Sequence, residues 1–346
     1  MKLSMQVPYG GTTAELASAV DQVCNLERAG LDVVWVAEAY SFDAPSMMGY
    51  LAAKTETIAI GSAILPIYTR TPTLIAMTAA GLDALSGGRC LLGLGASGPQ
   101  VIEGFHGVPY DAPIGRTREI IDICRQVWRR EPVVHDGTYY HLPLPAGQGT
   151  GLGKALKLIN HPVRSQIPIY VAALGPKNIE MTASVADGWL PLFWVPEKAE
   201  EVFGEALAKG AANRSGDLGP LDIVAGGLVA IGDDVTHLRD LMRPMVALYI
   251  GGMGARDKNF YNALIRRYGY EAEAELIQDL YLDGKKQEAA AAVPAELLEL
   301  MTLVGPEGYV KERLAAFRES GVTTLSITPM DPDPVKLIAQ LKEWTS

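Results

Sequence analysis

Gly93-Leu94-Gly95-Ala96-Ser97-Gly98 has the spacing GxGxxG directly after an apolar run, and Leu174-Gly175-Pro176-Lys177 again sets glycine and proline where a helix should begin. Glycine lets main-chain amides approach an anion closely, and a helix N-terminus offers unpaired N–H groups and the positive end of its dipole. Both segments therefore suit a phosphate, to which Lys177 would add a charge. A Rossmann dinucleotide site fits the first segment poorly. Pro99 follows immediately, the stretch about 20 residues downstream, Arg116-Thr117-Arg118-Glu119, is helix-like instead of an acidic strand end, and the motif follows the fourth strand rather than the first. Taken alone, each Gly-Pro turn merely starts a helix. Placed after neighbouring strands, Ser97-Gly98-Pro99-Gln100 and Leu174-Gly175-Pro176-Lys177 converge on one phosphate.

Glu38 ends the apolar run from Asp32 with a carboxylate that either touches a ligand or pairs at a rim with an arginine such as Arg70 or Arg89. Gly61-Ser62-Ala63-Ile64 places small residues where a buried strand would carry Val or Ile. Either a flat ring lies against this backbone, or the strand bulges. His106, His135, His141, His161 and His237 are dispersed and show no HExxH spacing, which argues against a metal. No GxSxG elbow is present and no cysteine adjoins a histidine, so a covalent hydrolase lacks its nucleophile. Phosphate-cradling turns without nucleophile or metal leave the chemistry to an organic cofactor, and redox becomes the leading class.

The elements that would position these residues alternate. β-branched runs centred near Val7, Val34, Ile60, Leu92, Tyr170, Leu190, Val229 and Ser326 are separated by amphipathic helical stretches. Thr12 and Glu15 have capping-box spacing, Gly30 suits a left-handed helix terminator, and Thr71-Pro72 is an N-cap followed by proline at the first helical position. Leu74, Met77, Leu82 and Leu85 then share one helix face. Eight such units predict an α/β fold, a (β/α)8 TIM barrel, with the chemistry on the loops after the strands. The single domain, residues 1–346, carries an insertion at 104–166, with a hairpin about Asp136-Gly137, and a helical insertion at 254–304.

The chain has 346 residues, 48% of them hydrophobic, and a formal net charge of −10, which speaks against nucleic acid and against anionic membrane surfaces. No apolar run approaches the roughly 18 residues of a membrane span, and no secretory signal is apparent at the N-terminus. Cys24, Cys90 and Cys124 are odd in number and widely spaced, so neither a disulfide framework nor a CxxC site is indicated and a reducing cytoplasm is expected.

Several segments, in order, resemble the bacterial luciferase-like flavin and deazaflavin oxidoreductases, and in particular their coenzyme F420-dependent actinobacterial branch. They are Trp35-Val36-Ala37-Glu38, Gly61-Ser62-Ala63-Ile64-Leu65-Pro66, Arg70-Thr71-Pro72, Leu85-Ser86-Gly87-Gly88-Arg89, Leu92 to Val101, Gly104 to Pro109, Ala172 to Pro176 and Ala186-Asp187-Gly188-Trp189. The resemblance implies a barrel that often dimerises through its helices. It also implies a non-prolyl cis peptide at Ala63-Ile64 backing the cofactor ring. Ser97, Gly98, Pro99, Gln100, Ala173, Leu174, Gly175 and Pro176 would line the cofactor's side chain and phosphate, and Glu38 would lie near the ring's polar edge. Where some members have a histidine after the acidic residue, this chain has Ala39 and then Tyr40. Glu38, Tyr40 and His106 are thus the candidates for proton handling. The implied activity is hydride transfer between C5 of coenzyme F420 and a small organic substrate that the sequence does not identify. The rivals are an FMN-dependent monooxygenase of the same superfamily and a non-catalytic cofactor-binding protein.

Overall fold

A computed structural model describes Met1–Thr345. Eight parallel strands form a closed barrel: β1 (Lys2–Val7), β2 (Val33–Val36), β3 (Ala59–Ser62), β4 (Cys90–Gly95), β5 (Ile169–Ala172), β6 (Gly188–Leu190), β7 (Asp222–Ile231) and β8 (Thr324–Pro329). Each pairs with its neighbours in sequence, and the ring closes between β1 and β8, Lys2 opposite Thr324 and Met5 opposite Ile327. These are the eight runs expected from the sequence, and the closed sheet removes the Rossmann alternative.

The runs read as continuously apolar because both strand faces are covered. On β2, Val34 and Val36 join Leu3, Met5, Leu92 and Leu94 in the layer under the helices, whereas Val33 and Trp35 turn inward onto Leu91, Tyr170 and Val224. Period-two alternation thus divides one hydrophobic run between two cores.

Local signals set the helix starts. Thr12 and Glu15 cap each other ahead of helix Thr13–Arg28. Asp43 caps Ala44–Lys54, Thr71 caps Pro72–Ser86, and Gly30 turns the chain with φ of 101°. The face expected to be apolar on Pro72–Ser86 is a correction. Leu82 is buried, but Leu74, Met77 and Leu85 are exposed, and the inward stripe is Ile75, Ala76, Ala79 and Ala80. Helical periodicity identifies a face without saying which side packs, and alanines let this helix lie close to β4 and to helix Pro113–Trp128.

The third strand is also shorter than its apolar run. Its pairing with β4 puts Ile60 opposite Cys90 and Gly61 opposite Leu91, then resumes with Leu65 opposite Leu94. One extra residue therefore sits on the β3 side, where the Ala63–Ile64 peptide is cis. The buried Ser62 hydroxyl bridges the gap, donating to the Gly93 carbonyl at 2.8 Å and accepting the Gly93 N–H at 2.9 Å.

Between β4 and β5 the chain forms an antiparallel ribbon, His135–Asp136 with His141–Leu142, about Gly137. Between β7 and β8 come helices Arg243–Gly252, Phe260–Arg267, Glu271–Leu282, Lys286–Ala291 and Ala295–Leu300. They are followed by a short strand, Leu303–Gly305, that adds to β7 outside the barrel ring. Among the described residues no helix is long and apolar enough to cross a membrane.

Candidate functional site

The C-terminal ends of parallel barrel strands open on one rim, and there the loops can bring distant residues together. Strands β4 and β5 are adjacent, with Leu94 opposite Val171, so the two glycine-proline turns leave the same rim side by side. Gly98 is the N-cap of helix Pro99–Gly104 and Gly175 that of helix Pro176–Val185; neither helix start has a side-chain cap, and each has proline in its first turn. Gln100, Pro176 and Lys177 are exposed there, and Leu174 is half-buried. Both turns are held from behind. Ser97 has φ of 58°, and its carbonyl accepts the Tyr110 hydroxyl at 3.4 Å, while the Ala173 carbonyl accepts the buried Trp189 indole N–H at 2.9 Å.

On the neighbouring stretch of rim lies the Ala63–Ile64 bulge. Ala63 packs on the inner cluster of Trp35 and Tyr170, whose rings meet edge to face at 5.1 Å. Side chains are excluded from this wall. A Cβ on Gly61 would fall 2.2 Å from the Trp35 ring, and one on Gly93 1.8 Å from the Ser62 carbonyl oxygen. Small residues here reflect the close approach of chain to chain around the bulge.

Glu38 follows β2, with its carboxylate gripped by Arg70: Nη1 donates to Oε1 at 2.5 Å and Nη2 to Oε2 at 2.9 Å. A third donor, the main-chain N–H of Ala44, reaches Oε2 at 2.8 Å. The side chains of the pair are 7% and 14% exposed, so of the two partners weighed for Glu38 the rim arginine is Arg70. Arg89 lies elsewhere, donating to Thr55 and to the carbonyls of Ala52 and Ile58. A groove of about 630 Å³ adjoins Arg70, and its other guanidinium, Arg116, is paired with Asp111.

Tyr40 and His106 flank one ring. Phe105 lies 6.2 Å from Tyr40 and meets the His106 imidazole edge to face at 5.1 Å. His106 Nε2 is buried with no hydrogen-bond partner among the described residues. The Glu38 carboxylate is engaged by Arg70 and the Ala44 N–H. Among the described residues no group of three His, Cys, Asp or Glu side chains gathers as a metal site requires.

Part of this rim is not marked by any local pattern in the sequence. Tyr9, just past β1, has its phenol pushed up by burial and by Tyr249, Tyr40 and Glu38 nearby. Its position at the end of a strand run could have marked it. Tyr249 and Tyr261 lie in helices of the β7–β8 segment, where nothing in the local pattern marks an approach to the mouth.

The family model described as luciferase-like monooxygenase matches residues 1–324. A Mycobacterium tuberculosis protein named, provisionally, as a coenzyme F420-dependent oxidoreductase is 41% identical over 345 residues, covering 99% of each chain. The 5,10-methylenetetrahydromethanopterin reductase of Archaeoglobus fulgidus is 28% identical, covering 90% of each. Among solved structures, the coenzyme F420-dependent tetrahydromethanopterin reductase of Methanopyrus kandleri superposes with a TM-score of 0.77 at 22% identity, over 98% of this chain and 96% of that one. An F420-dependent secondary alcohol dehydrogenase bound to an F420–acetone adduct gives 0.75 at 16%, over 100% and 99%. An FMN-bound type II Baeyer–Villiger monooxygenase from Pseudomonas putida gives 0.66 at 19%, over 100% and 98%.

Proposed function

This chain belongs to the luciferase-like monooxygenase family, and on that basis we propose that it is a coenzyme F420-dependent oxidoreductase acting on a small organic substrate. The observation that carries this is the 41% identity, across 99% of both chains, to a relative named for F420 dependence. Bound coenzyme F420 supplies the redox chemistry by giving or taking a hydride at C5. The residues present fit such a group: two uncapped helix starts leave one rim side by side and offer free main-chain N–H groups to an anionic side chain.

Each of this chain's residues then has a task. Ser97, Gly98, Pro99 and Gln100 would hold the coenzyme's anionic side chain from one turn, and Ala173, Leu174, Gly175, Pro176 and Lys177 from the other. Ala63 and Ile64 would support the back of the ring. Glu38, with three donors on its two oxygens, fixes the start of helix Ala44–Lys54 and the loop ending at Arg70, both next to that support. Its task is positioning, which leaves Tyr40 and His106 as the groups able to handle a proton near the ring.

Titrating the protein with oxidised coenzyme F420 and following coenzyme fluorescence tests the assignment. Saturable binding is expected, lost or weakened when Gly175→Asp places a negative charge at the second turn. Absence of F420 binding, with tight FMN binding and NAD(P)H- and oxygen-dependent turnover, would reverse it.

The protein is also proposed to act as a homodimer in the cytoplasm. The exposed stripe of Leu74, Met77 and Leu85 on helix Pro72–Ser86, beside exposed Tyr50 on the adjoining helix Ala44–Lys54, supports the dimer. Three free thiols support the compartment.

A further inference from the structure

At the end of β6, Phe193 is buried with φ of 57°, a left-handed conformation that bulky side chains rarely adopt. The Tyr268 hydroxyl donates to its carbonyl at 2.8 Å and holds it there. The Phe193 ring meets Tyr249 edge-on at 5.5 Å and Tyr261 at 6.2 Å, and those two rings meet each other at 4.7 Å. Tyr249 belongs to helix Arg243–Gly252 and Tyr261 to helix Phe260–Arg267, so the β7–β8 segment delivers two aromatic side chains to a strand end of the barrel. Burial pushes the Tyr249 phenol up, and Tyr40 adds to the shift. A backbone outlier of this kind at a strand end marks a placement that the surrounding packing enforces.

The charges on the elements that carry these rings are all engaged. Glu38 holds Arg70, Asp43 caps its helix, Arg243 pairs with Asp240, Arg266 donates to Asn262, and Arg267 donates to the Val202 carbonyl. The loop after β6, residues 191–195, has no charged side chain. An anionic molecule entering here would lose water against ring edges and faces without gaining a cation, whereas an uncharged ring would gain aromatic contacts at little desolvation cost.

Resting on the oxidoreductase assignment, we propose that Phe193, Tyr249 and Tyr261 form the substrate subsite, and that it takes an uncharged, ring-bearing organic molecule. Two probes that differ in charge but not in their enone test this, 4-(4-methylphenyl)but-3-en-2-one and its 4-carboxyphenyl counterpart. Their affinities for the full-length protein are measured by calorimetry with and without saturating oxidised coenzyme F420. The neutral probe should bind about tenfold more tightly than the carboxylate. Tyr249→Ala and the milder Tyr261→Leu, each checked for folding by circular dichroism, should weaken the neutral probe while coenzyme affinity is retained. Equal or tighter binding of the carboxylate, or a neutral-probe affinity unmoved in both folded variants, overturns the proposal. If the protein discriminates between the probes but does not bind coenzyme F420, the subsite stands and the coenzyme assignment falls.

Discussion

Glu38 and Arg70 form a bidentate pair that is nearly out of water, so the cost of breaking it falls on whichever partner remains. Replacing Glu38→Ala should destabilise the protein by about 3–5 kcal/mol, because the buried guanidinium keeps its charge and loses its acceptor. Removing both groups, as Glu38→Met with Arg70→Met, should restore much of that loss. Urea denaturation of the two variants and their parent supplies the comparison. A different behaviour is expected of the thiols. Cys90 is 2% exposed and pushed up to about 12 by burial, and burial also raises the wholly buried Cys124, whereas Cys24 is only half-buried. Ellman's reagent should therefore detect one reactive thiol in the native protein and three in urea, the single native one disappearing in Cys24→Ser.

At the scale of elements, the β3–β4 ladder decides how the ring-support wall is built. A Cβ on Gly93 would meet main-chain atoms of Ser62, which cannot move without undoing the bulge. Gly93→Ala should thus cost at least about 3 kcal/mol or abolish folding. Gly95→Ala presses instead on the Ile64 side chain, 2.7 Å away, and should weaken coenzyme binding more than it lowers the melting temperature. Helix Thr13–Arg28 is tied to the start of β3 by Glu27, whose Oε1 accepts the N–H groups of Glu56, Thr57 and Ile58 and the Thr57 hydroxyl. Burial pushes its carboxyl up, but those donors outweigh burial and hold the group below its ordinary value of 4.5. With the folded pKa the lower one, the stabilisation is present above that ordinary value and is lost as pH falls through the folded pKa. Glu27→Gln should be less stable than the parent by about 1–3 kcal/mol at pH 7, with the difference shrinking as acid is added below about pH 4.

All eight barrel strands were legible from the sequence because a strand covered on both faces must be apolar throughout, and the helix starts because caps are local chemistry. The two turns were legible for the same local reason. The orientation of Leu74, Met77 and Leu85 was not, since periodicity carries no direction. Nor were Phe193, Tyr249 and Tyr261, which meet only after the chain has closed into a barrel. Glu38 illustrates the boundary: its place at a strand end was plain, but its choice of Arg70 over Arg89 depends on where the loops run.

For the whole molecule, the outward apolar stripe makes a prediction about assembly. If Leu74, Met77 and Leu85 cover a second copy, Leu74→Glu with Met77→Lys should yield a folded monomer, seen in sedimentation velocity as a halved mass at an unchanged melting profile. A parent that sediments as a monomer would dismiss the dimer.

Lys2 and Thr324 are partners in the closed sheet. A ribosome must therefore release the chain from Lys2 through Thr324 before the first strand acquires its last neighbour, and until then the nascent sheet carries two raw edges. Ribosome-stalled chains ending before Thr324 should be protease-sensitive and prone to capture by chaperones, a vulnerability that ends abruptly when the final strand emerges.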